Sequence, residues 1–303
     1  MSLLIVGTVA FDAIETPYGK TDKIIGGAAT YIGLSASSLL DQSMLVSVVG
    51  EDFPEETIQL MQSKGIDTEG LQIKKGEKTF FWSGKYHRDM NTRDTMDTQL
   101  NVLENFDPFV PEKFRDAEFL MLGNLMPAIQ QKVLDQMNKR PKLVVLDTMN
   151  FWMDHFMSDL TEALKEVDVL TINDEEARQL SGEYSLVKAA QRILKMGPKY
   201  LIIKKGEHGA MLFDKDHIFF SPAFPLADVL DPTGAGDTFA GGFVSYLAHH
   251  NEITWESMKR AVAHATAMAS FCVEKFGIER LLEIKSAELE ERKLALAELT
   301  RVE

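Results

Sequence analysis

Short, unbroken apolar runs recur along the chain, each leading toward a stretch with helical spacing. Continuous rather than alternating apolar character predicts strands buried on both faces of a mostly parallel sheet. The predicted strands are Leu3–Val6, Met44–Val49, Phe119–Leu122, Leu143–Leu146, Val167–Ile172 and Tyr200–Ile203. The predicted helices are Ala28–Leu40, Pro54–Lys64, Pro127–Asn138, Glu175–Leu180, Leu186–Met196, Thr238–His249, Thr254–Glu274 and Ser286–Leu299. We therefore expect an α/β fold with a doubly wound central sheet flanked by helices.

Two segments, 11–25 and 71–101, interrupt this alternation. The second contains Lys78–Tyr86 (KTFFWSGKY), in which β-prone aromatic residues are interleaved with polar ones. Such a pattern is typical of strands in a small sheet outside the main one. We expect one α/β domain over residues 1–303, carrying a discontinuous β lid that can close over a cleft.

Composition excludes several classes of function. The chain has 46 acidic against 32 basic residues, a net charge of −14, which disfavours binding to nucleic acid. No run approaches the roughly 20 apolar residues of a membrane span. Cys272 is the only cysteine, so an intrachain disulfide is impossible and a reducing compartment is favoured. We expect a cytoplasmic protein with no nucleic-acid or membrane partner.

The segment Asp231–Asp237 (DPTGAGD) passes from an apolar stretch through a glycine turn into a predicted helix. Gly234 and Gly236 permit close approach of a ligand, and the helix N-terminus offers unpaired N–H groups to an anion. Asp237 then stands where a carboxylate can take a proton from an attacking hydroxyl. Spacing alone leaves open whether Asp237 is such a base or only a helix cap.

Neither common phosphate-binding loop is present. No Gly-x-x-x-x-Gly-Lys-Ser/Thr string occurs, which excludes a P-loop. The dinucleotide fingerprint also fails, because its third glycine would fall on Phe239.

The string Asp231–Gly242 (DPTGAGDTFAGG) strongly resembles the C-terminal signature of the ribokinase-like, or PfkB, family of carbohydrate and nucleoside kinases. The resemblance covers nearly the whole chain. It implies an ATP-dependent phosphotransferase that moves the γ-phosphate to a hydroxyl of a sugar or sugar derivative. It also implies Asp237 as the base and the backbone of Gly234, Ala235 and Gly236 as the anion hole.

The other matching segments imply further site residues. Asp12, at the end of Val6–Asp12 (VGTVAFD), resembles the family's ligand for substrate hydroxyls, and Gly26–Gly27 resembles the diglycine between lid and main domain, also beside the substrate. Asn173 and Glu176 match an Asn-x-x-Glu motif, which implies that they support Mg²⁺, Glu176 through water. A site with few carboxylates suits Mg²⁺, which retains waters and phosphate ligands.

On the donor side, the segment Lys205–Gly209 (KGEHG) resembles the loop that lines the ATP phosphates and adenine, which implies nucleotide contacts for Lys205, Gly206 and Gly209. His264 falls near a position where many relatives carry Asn, so it either bonds to the nucleotide or is a plain helix histidine. Thr233, with Asp231, resembles part of a loop that binds a monovalent cation such as K⁺.

The acceptor side departs from ribokinase itself, because Ala28–Tyr31 (AATY) replaces the usual Lys-Gly-Ala-Asn after the diglycine. Aromatic residues near the lid could stack on a sugar or a nucleobase, or could simply form the core of the lid. These residues are Phe11, Tyr31, Phe81 and Trp82. Arg93, and Arg88 near it, could clamp a phosphate or remain solvated.

Three alternatives follow. The leading expectation is a sugar kinase; a nucleoside kinase of the same family is the first alternative, and a non-catalytic sugar or nucleotide sensor is the remote one. The expected partner is a small-molecule sugar or nucleoside. A homodimer through the lid is a further expectation.

Overall fold

The computed structural model describes residues 1–301, which form two β-sheets and eleven α-helices. The strands are β1 (Leu3–Val6), β2 (Ala10–Thr16), β3 (Gly19–Lys20), β4 (Ile24–Gly26), β5 (Ser43–Gly50), β6 (Ile66–Lys74), β7 (Phe81–Tyr86), β8 (Arg93–Gln99), β9 (Phe119–Leu122), β10 (Leu143–Asp147), β11 (Val169–Asn173), β12 (Tyr200–Lys204), β13 (Ala210–Phe213) and β14 (Ile218–Ser221). The helices are α1 (Ala28–Ala36), α2 (Glu55–Ser63), α3 (Pro127–Asp135), α4 (Asn150–His155), α5 (Met157–Lys165), α6 (Asp174–Ser181), α7 (Leu186–Ile193), α8 (Ala235–His250), α9 (Trp255–Cys272), α10 (Glu279–Glu283) and α11 (Ser286–Glu298).

The larger sheet has nine strands in the order β14-β13-β12-β11-β10-β9-β1-β5-β6. From β12 to β6 every neighbouring pair is parallel, and β13 and β14 add an antiparallel edge. All six predicted strands lie in this sheet. The predicted α/β fold with a mostly parallel sheet is confirmed.

Burial on both faces explains why the strand sequences are continuously apolar. In β1, Leu3 and Ile5 join one hydrophobic cluster, while Leu4 and Val6 join the other. None of these four side chains is exposed to solvent. Burying a side chain of this size is worth about 1.5–3 kcal/mol, so both faces of the strand favour apolar residues.

The smaller sheet has the order β3-β2-β7-β8, with β4 paired to β2. It contains residues of both predicted lid segments, 11–25 and 71–101. In the second segment its first strand, β7, begins at Phe81 and not at residue 71. Residues 66–74 form β6, which pairs with β5 in the main sheet. Because β6 is an edge strand with several exposed positions, its sequence interleaves polar residues as a lid strand does.

Three regions of secondary structure were not predicted, namely helices α4 and α5, the antiparallel pair β13–β14, and the short helix α10. Helix α5 buries only Leu160, Ala163 and Leu164, and this narrow apolar stripe gives a weak helical signal. Helix α8 begins at Ala235, three residues before the predicted start. None of the helices within residues 1–301 is long and apolar enough to cross a membrane.

Helix α8 is held between α1 and α9 by close contacts along its length. A Cβ on Gly242 would lie 3.1 Å from Ala265 Cα, and one on Gly241 would overlap the backbone of Ile32. Ser35 Oγ donates a 2.7 Å hydrogen bond to the Thr238 carbonyl. These contacts fix the direction of the helix, and hence the position of its first turn at the cleft.

Candidate active site

Three polar side chains end three neighbouring parallel strands of the main sheet. Asp147 is the last residue of β10, Asn173 of β11 and Lys204 of β12. Lys204 Nζ lies 3.2 Å from Asp147 Oδ2, and the two side chains are only 17% and 7% exposed. Ligands of open α/β sheets bind outside the carboxyl ends of the strands, so this buried ion pair lies where a cleft is expected.

The glycine turn before α8 is fixed by Asp231, which is fully buried. Its carboxylate accepts hydrogen bonds from the N–H groups of Thr233 and Gly277, both at 2.9 Å. Gly234 caps α8 with a φ of 75°, a left-handed conformation that glycine adopts without steric cost. The turn therefore presents the first N–H groups of α8 to the cleft.

The three residues of the predicted anion hole differ in whether their N–H groups are free to bind a ligand. The Ala235 N–H donates to the Pro232 carbonyl at 3.2 Å. Within residues 1–301 the Gly234 and Gly236 N–H groups donate to no other protein group. Free N–H groups at a helix N-terminus attract anions, so Gly234 and Gly236 are the better candidates in this conformation.

Asp237 is the third residue of α8, and Gly234, not Asp237, is the N-cap. Asp237 is therefore not the N-cap residue of α8. Burial and the neighbouring Asp147 raise the pKa of Asp237 to about 7, although Lys204 and Arg93 act in the opposite direction. A carboxylate with a pKa near neutrality is suited to accept a proton at physiological pH. Its role as the base stays a prediction.

Asp12 lies on β2 of the smaller sheet, 5% exposed, against the diglycine Gly26–Gly27. A Cβ on Gly26 would overlap the Asp12 carboxylate. Burial raises the pKa of Asp12 to about 7, with added repulsion from Asp231 and Asp237. The structure thus brings together Asp12 and Asp237, which are 225 positions apart in the sequence, as the predicted substrate ligand and base require.

Tyr31 lies beneath the glycine turn, not on the cleft wall. Its side chain is 1% exposed, and a Cβ on Gly234 would overlap its ring. The phenolic oxygen has no hydrogen-bond partner among the described residues, and burial followed by repulsion from Asp12 raises its pKa. Tyr31 supports the turn in this conformation, and its predicted substrate contact stays a prediction.

One face of the smaller sheet looks into the cleft. Asp12 is in register with Trp82 on β7, and Tyr86 on β7 with Arg93 on β8, so their side chains share a face. The Thr233 hydroxyl donates to Tyr86 Oη at 3.2 Å. Arg93 is near enough to lower the pKa values of Asp237 and Glu176, after the larger effects of burial and of nearer charges. The lid is therefore in contact with the predicted catalytic turn.

The other lid aromatics lie outside the cleft. Phe11 and Phe81 are in register on the opposite face and pack into the main core. Phe11 contacts Phe53 with ring centroids 5.5 Å apart. For these two residues, the structure favours the core role that the sequence left open, and Trp82 remains as the candidate for stacking.

Asn173 and Glu176 form a reciprocal capping box at the start of α6, with both hydrogen bonds at 2.8 Å. Burial raises the pKa of Glu176 to about 7, and the nearby charges of Lys204 and Asp147 act in opposite directions. Residues 1–301 contain no cluster of three or more His, Cys, Asp or Glu able to hold a metal alone. A buried carboxylate pair, Glu176 and Asp147, instead fits a Mg²⁺ ion that takes its other ligands from phosphate and water.

Lys205, Gly206 and Gly209 lie in the connection from β12 to β13, where the Lys205 N–H donates to the Gly209 carbonyl at 2.8 Å. A Cβ on Gly206 would overlap the side chain of Asn91, from the lid. The tip of the lid therefore touches the predicted nucleotide loop. The nucleotide contacts of these three residues stay predictions.

His264 is completely buried in α9, and neither ring nitrogen has a partner among the described residues. Its ring centroid lies 5.6 Å from that of Tyr246, and burial lowers its pKa to about 3. The structure therefore keeps it neutral and covers it with protein, as expected of a helix histidine in the core. The nucleotide contact stays a prediction.

Sequence reasoning missed Lys204 and Asp147. Each is a charged residue at the end of an otherwise apolar strand, a signal that was present in the runs Tyr200–Lys204 and Leu143–Asp147. What the sequence does not contain is the pairing of the two strands through β11.

Comparison with known proteins identifies this arrangement. The family model for pfkB family carbohydrate kinases matches residues 2–285. The chain belongs to the pfkB family. It is therefore a kinase, a phosphotransferase with an alcohol group as acceptor, and the resemblance read from residues 231–242 is confirmed.

Its relatives include nucleoside kinases of this family. A cytidine kinase from Thermococcus kodakarensis is 30% identical over 251 residues, 81% of this chain and 88% of the relative. The crystal structure of a Methanocaldococcus jannaschii nucleoside kinase matches with a TM-score of 0.77 at 22% identity, over 97% of this chain and 98% of that one. An Escherichia coli protein described as a ribokinase II, solved with ATP and Mg²⁺, matches with a TM-score of 0.80 at 18% identity, over 97% and 99%. The ribokinase-like fold is confirmed.

Proposed function

We propose that this pfkB-family protein is an ATP-dependent nucleoside kinase. Asp237 accepts the proton of a hydroxyl on the ribose while that oxygen forms a bond to the γ-phosphorus of ATP. The bond between the γ-phosphorus and the bridging oxygen breaks, and ADP leaves. This proposal adopts the alternative acceptor class, a nucleoside, in place of the leading expectation of a sugar kinase.

The observation that carries the proposal is the pairing of Asp12 with Trp82 on the cleft face of the smaller sheet. A carboxylate there can accept hydrogen bonds from ribose hydroxyls, and an indole on the neighbouring strand offers an apolar face to a base. Trp82 is partly buried, its ring lies over Gly84, and the Arg93 guanidinium is 5.7 Å from its centroid. A free pentose would leave this aromatic face unused.

The names of the relatives support the same acceptor class. The Thermococcus relative is a cytidine kinase and the Methanocaldococcus structure is a nucleoside kinase. The Escherichia coli structure with ATP and Mg²⁺ supports the donor. In this chain Glu176 and Asp147 would hold Mg²⁺ with the phosphates, and the ion would supply charge neutralisation on the transferring group. A monovalent cation near Asp231 and Thr233 is a further proposal, tested by comparing activity in K⁺ and in tetramethylammonium salts.

The test is a phosphorylation panel with mass detection of the product. ATP and Mg²⁺ are supplied with cytidine, uridine, adenosine, inosine and guanosine, and with ribose and fructose as free sugars. We expect a nucleoside monophosphate as the best product. Preferred phosphorylation of a free sugar would contradict the proposal, and binding without any product would favour the non-catalytic sensor.

The variant Trp82→Ala tests the base-stacking role directly. Stacking of a base on an aromatic side chain is worth about 1–3 kcal/mol, so we expect KM for the nucleoside to rise about tenfold while KM for ATP is unchanged. Tyr184→Ala is the matched control: it is an aromatic residue 87% exposed, beyond the end of α6 that lies away from the cleft. Equal effects of the two variants on KM for the nucleoside would contradict the assignment of Trp82 to the acceptor site.

A further inference from the structure

Lys204 is a buried cation that neither the sequence motifs nor the family resemblance assigned to the reaction. Its side chain is 17% exposed and pairs with Asp147. Its ammonium lies 3.2 Å from Asp147 Oδ2, and this ion pair stands at the carboxyl ends of the central strands, where the cleft is.

The position of this ammonium relative to α8 indicates what it contacts. A Cβ built on Gly236 would lie 3.1 Å from Lys204 Nζ. The Gly236 N–H is one of the two free donors of the glycine turn. An anion bound by that N–H therefore lies beside the ammonium, within reach of a charge-assisted hydrogen bond.

Lys204 is also rigidly held. It is the last residue of a central parallel strand and stands in register with Asn173 on β11. Asp147, on the next strand but one, holds its head group through the ion pair at 3.2 Å. A cation preorganised in this way loses little entropy when a phosphate arrives.

From this geometry we propose that Lys204, oriented by Asp147, binds the transferring phosphate of the donor beside the Gly236 N–H. The inference deepens the proposed function, because it assigns a catalytic residue to the same site. Asp147 is then a positioning residue. Lys204 also lowers the pKa of Asp237, the proposed base.

After the larger effect of burial, two charged groups besides Lys204 act on the pKa of Asp237: Asp147 on β10 raises it and Arg93 on β8 lowers it. Asp237 in turn adds to the effect of burial in raising the pKa values of Asp12 on β2, Tyr31 on α1 and Cys272 on α9. Lys204 and Arg93 are therefore the two groups that favour the ionised form of Asp237, and Arg93 lies on the lid.

The test compares the binding of ATP with that of ADP by calorimetry, with and without Mg²⁺, because ADP keeps the base and sugar of the donor but lacks the transferring phosphate. Hydrogen bonds to charged groups contribute about 1.5–3 kcal/mol, so Lys204→Met is expected to weaken ATP binding about 10- to 100-fold and to weaken ADP binding much less. Lys204→Arg, which keeps the charge, should recover part of the ATP affinity. An unchanged ratio of ATP to ADP affinity in Lys204→Met would overturn the proposal.

Two further variants separate this role from a structural one. Lys199→Met removes a lysine from the opposite end of the same strand, where it pairs with buried Asp168, and should leave ATP binding as in the wild type. The double variant Lys204→Met/Asp147→Asn removes both charges, so it keeps the test available if Lys204→Met alone does not fold. Because Asp147 is also a proposed Mg²⁺ ligand, the double variant is measured without Mg²⁺, where it should show the same loss of ATP affinity relative to ADP affinity.

A second readout is the pH profile of kcat/KM. Without Lys204 the acidic limb should move to higher pH, because Asp237 loses a neighbouring positive charge. If the acidic limb does not move and ATP binding is normal, Lys204 has a structural role only, and the proposal is wrong. The binding ratio is independent of the acceptor, so a failure of the nucleoside proposal would not be mistaken for a failure of this one.

Discussion

Replacing Asp237 by Asn should lower turnover about 10²- to 10⁴-fold and at the same time stabilise the protein in the absence of ligands. The catalytic effect follows from loss of the proton acceptor, and general-base catalysis contributes about 10²- to 10⁴-fold. The stability effect follows from the raised pKa, because the folded protein disfavours the ionised carboxylate of Asp237 through burial and the neighbouring Asp147. The two effects have opposite signs in one variant.

The magnitude follows from the shift of this pKa from 3.8 in the unfolded chain to about 7 in the folded one. Between these values the folded state binds more protons than the unfolded state, so the free energy of unfolding falls as pH rises and levels off above about pH 7. A shift of this size corresponds to at most about 4 kcal/mol, and partial exposure of Asp237 to solvent reduces it to about 1–2 kcal/mol. Asn carries no charge and avoids this cost.

The assay is urea unfolding of the wild type and Asp237→Asn at pH 4 and pH 8, together with turnover. We expect nearly equal free energies of unfolding at pH 4 and a more stable variant at pH 8. Asp168→Asn is the contrasting control, because Asp168 is buried but holds ion pairs with Arg140 and Lys199, so its loss should destabilise. Lower stability of Asp237→Asn at pH 8, or turnover close to that of the wild type, would refute the reasoning.

Two other predictions concern the same turn. The proposed base Asp237 has a pKa of about 7 and must be ionised to accept a proton, so kcat/KM should rise about tenfold from pH 6 to pH 8. If the residual activity of Asp237→Asn shows the same pH dependence, the titrating group is not Asp237. Gly234→Ala should weaken ATP binding and lower stability, because a left-handed backbone costs a non-glycine residue about 1–2 kcal/mol and the new Cβ overlaps the Tyr31 ring; Gly76→Ala, with a similar φ of 75° but open space around it, controls for the backbone cost.

The sequence by itself determined the class of fold and the donor-side turn. Strands such as β1 are buried on both faces, so their apolar runs are unbroken and legible without a structure. The turn Asp231–Asp237 could be anticipated because its glycines, and the Thr233 N–H that donates to Asp231, are adjacent in the chain. Its further supports, Gly277 and Tyr31, are distant in sequence and come from the tertiary structure. The last part of edge strand β6, residues 71–74, was predicted to belong to the lid because partial exposure gives it the composition of a lid strand.

Only the tertiary structure decided which charges surround Asp237. Asp147, Lys204, Asp12 and Arg93 come from four different strands, and nothing in their local sequence relates them. Strand order brings Asp147 and Lys204 together, and pairing of β2 with β7 places Asp12 beside Trp82. Electrostatic effects depend on distance and burial, which the chain acquires only on folding, so the chemistry of this site is a property of the packed sheets.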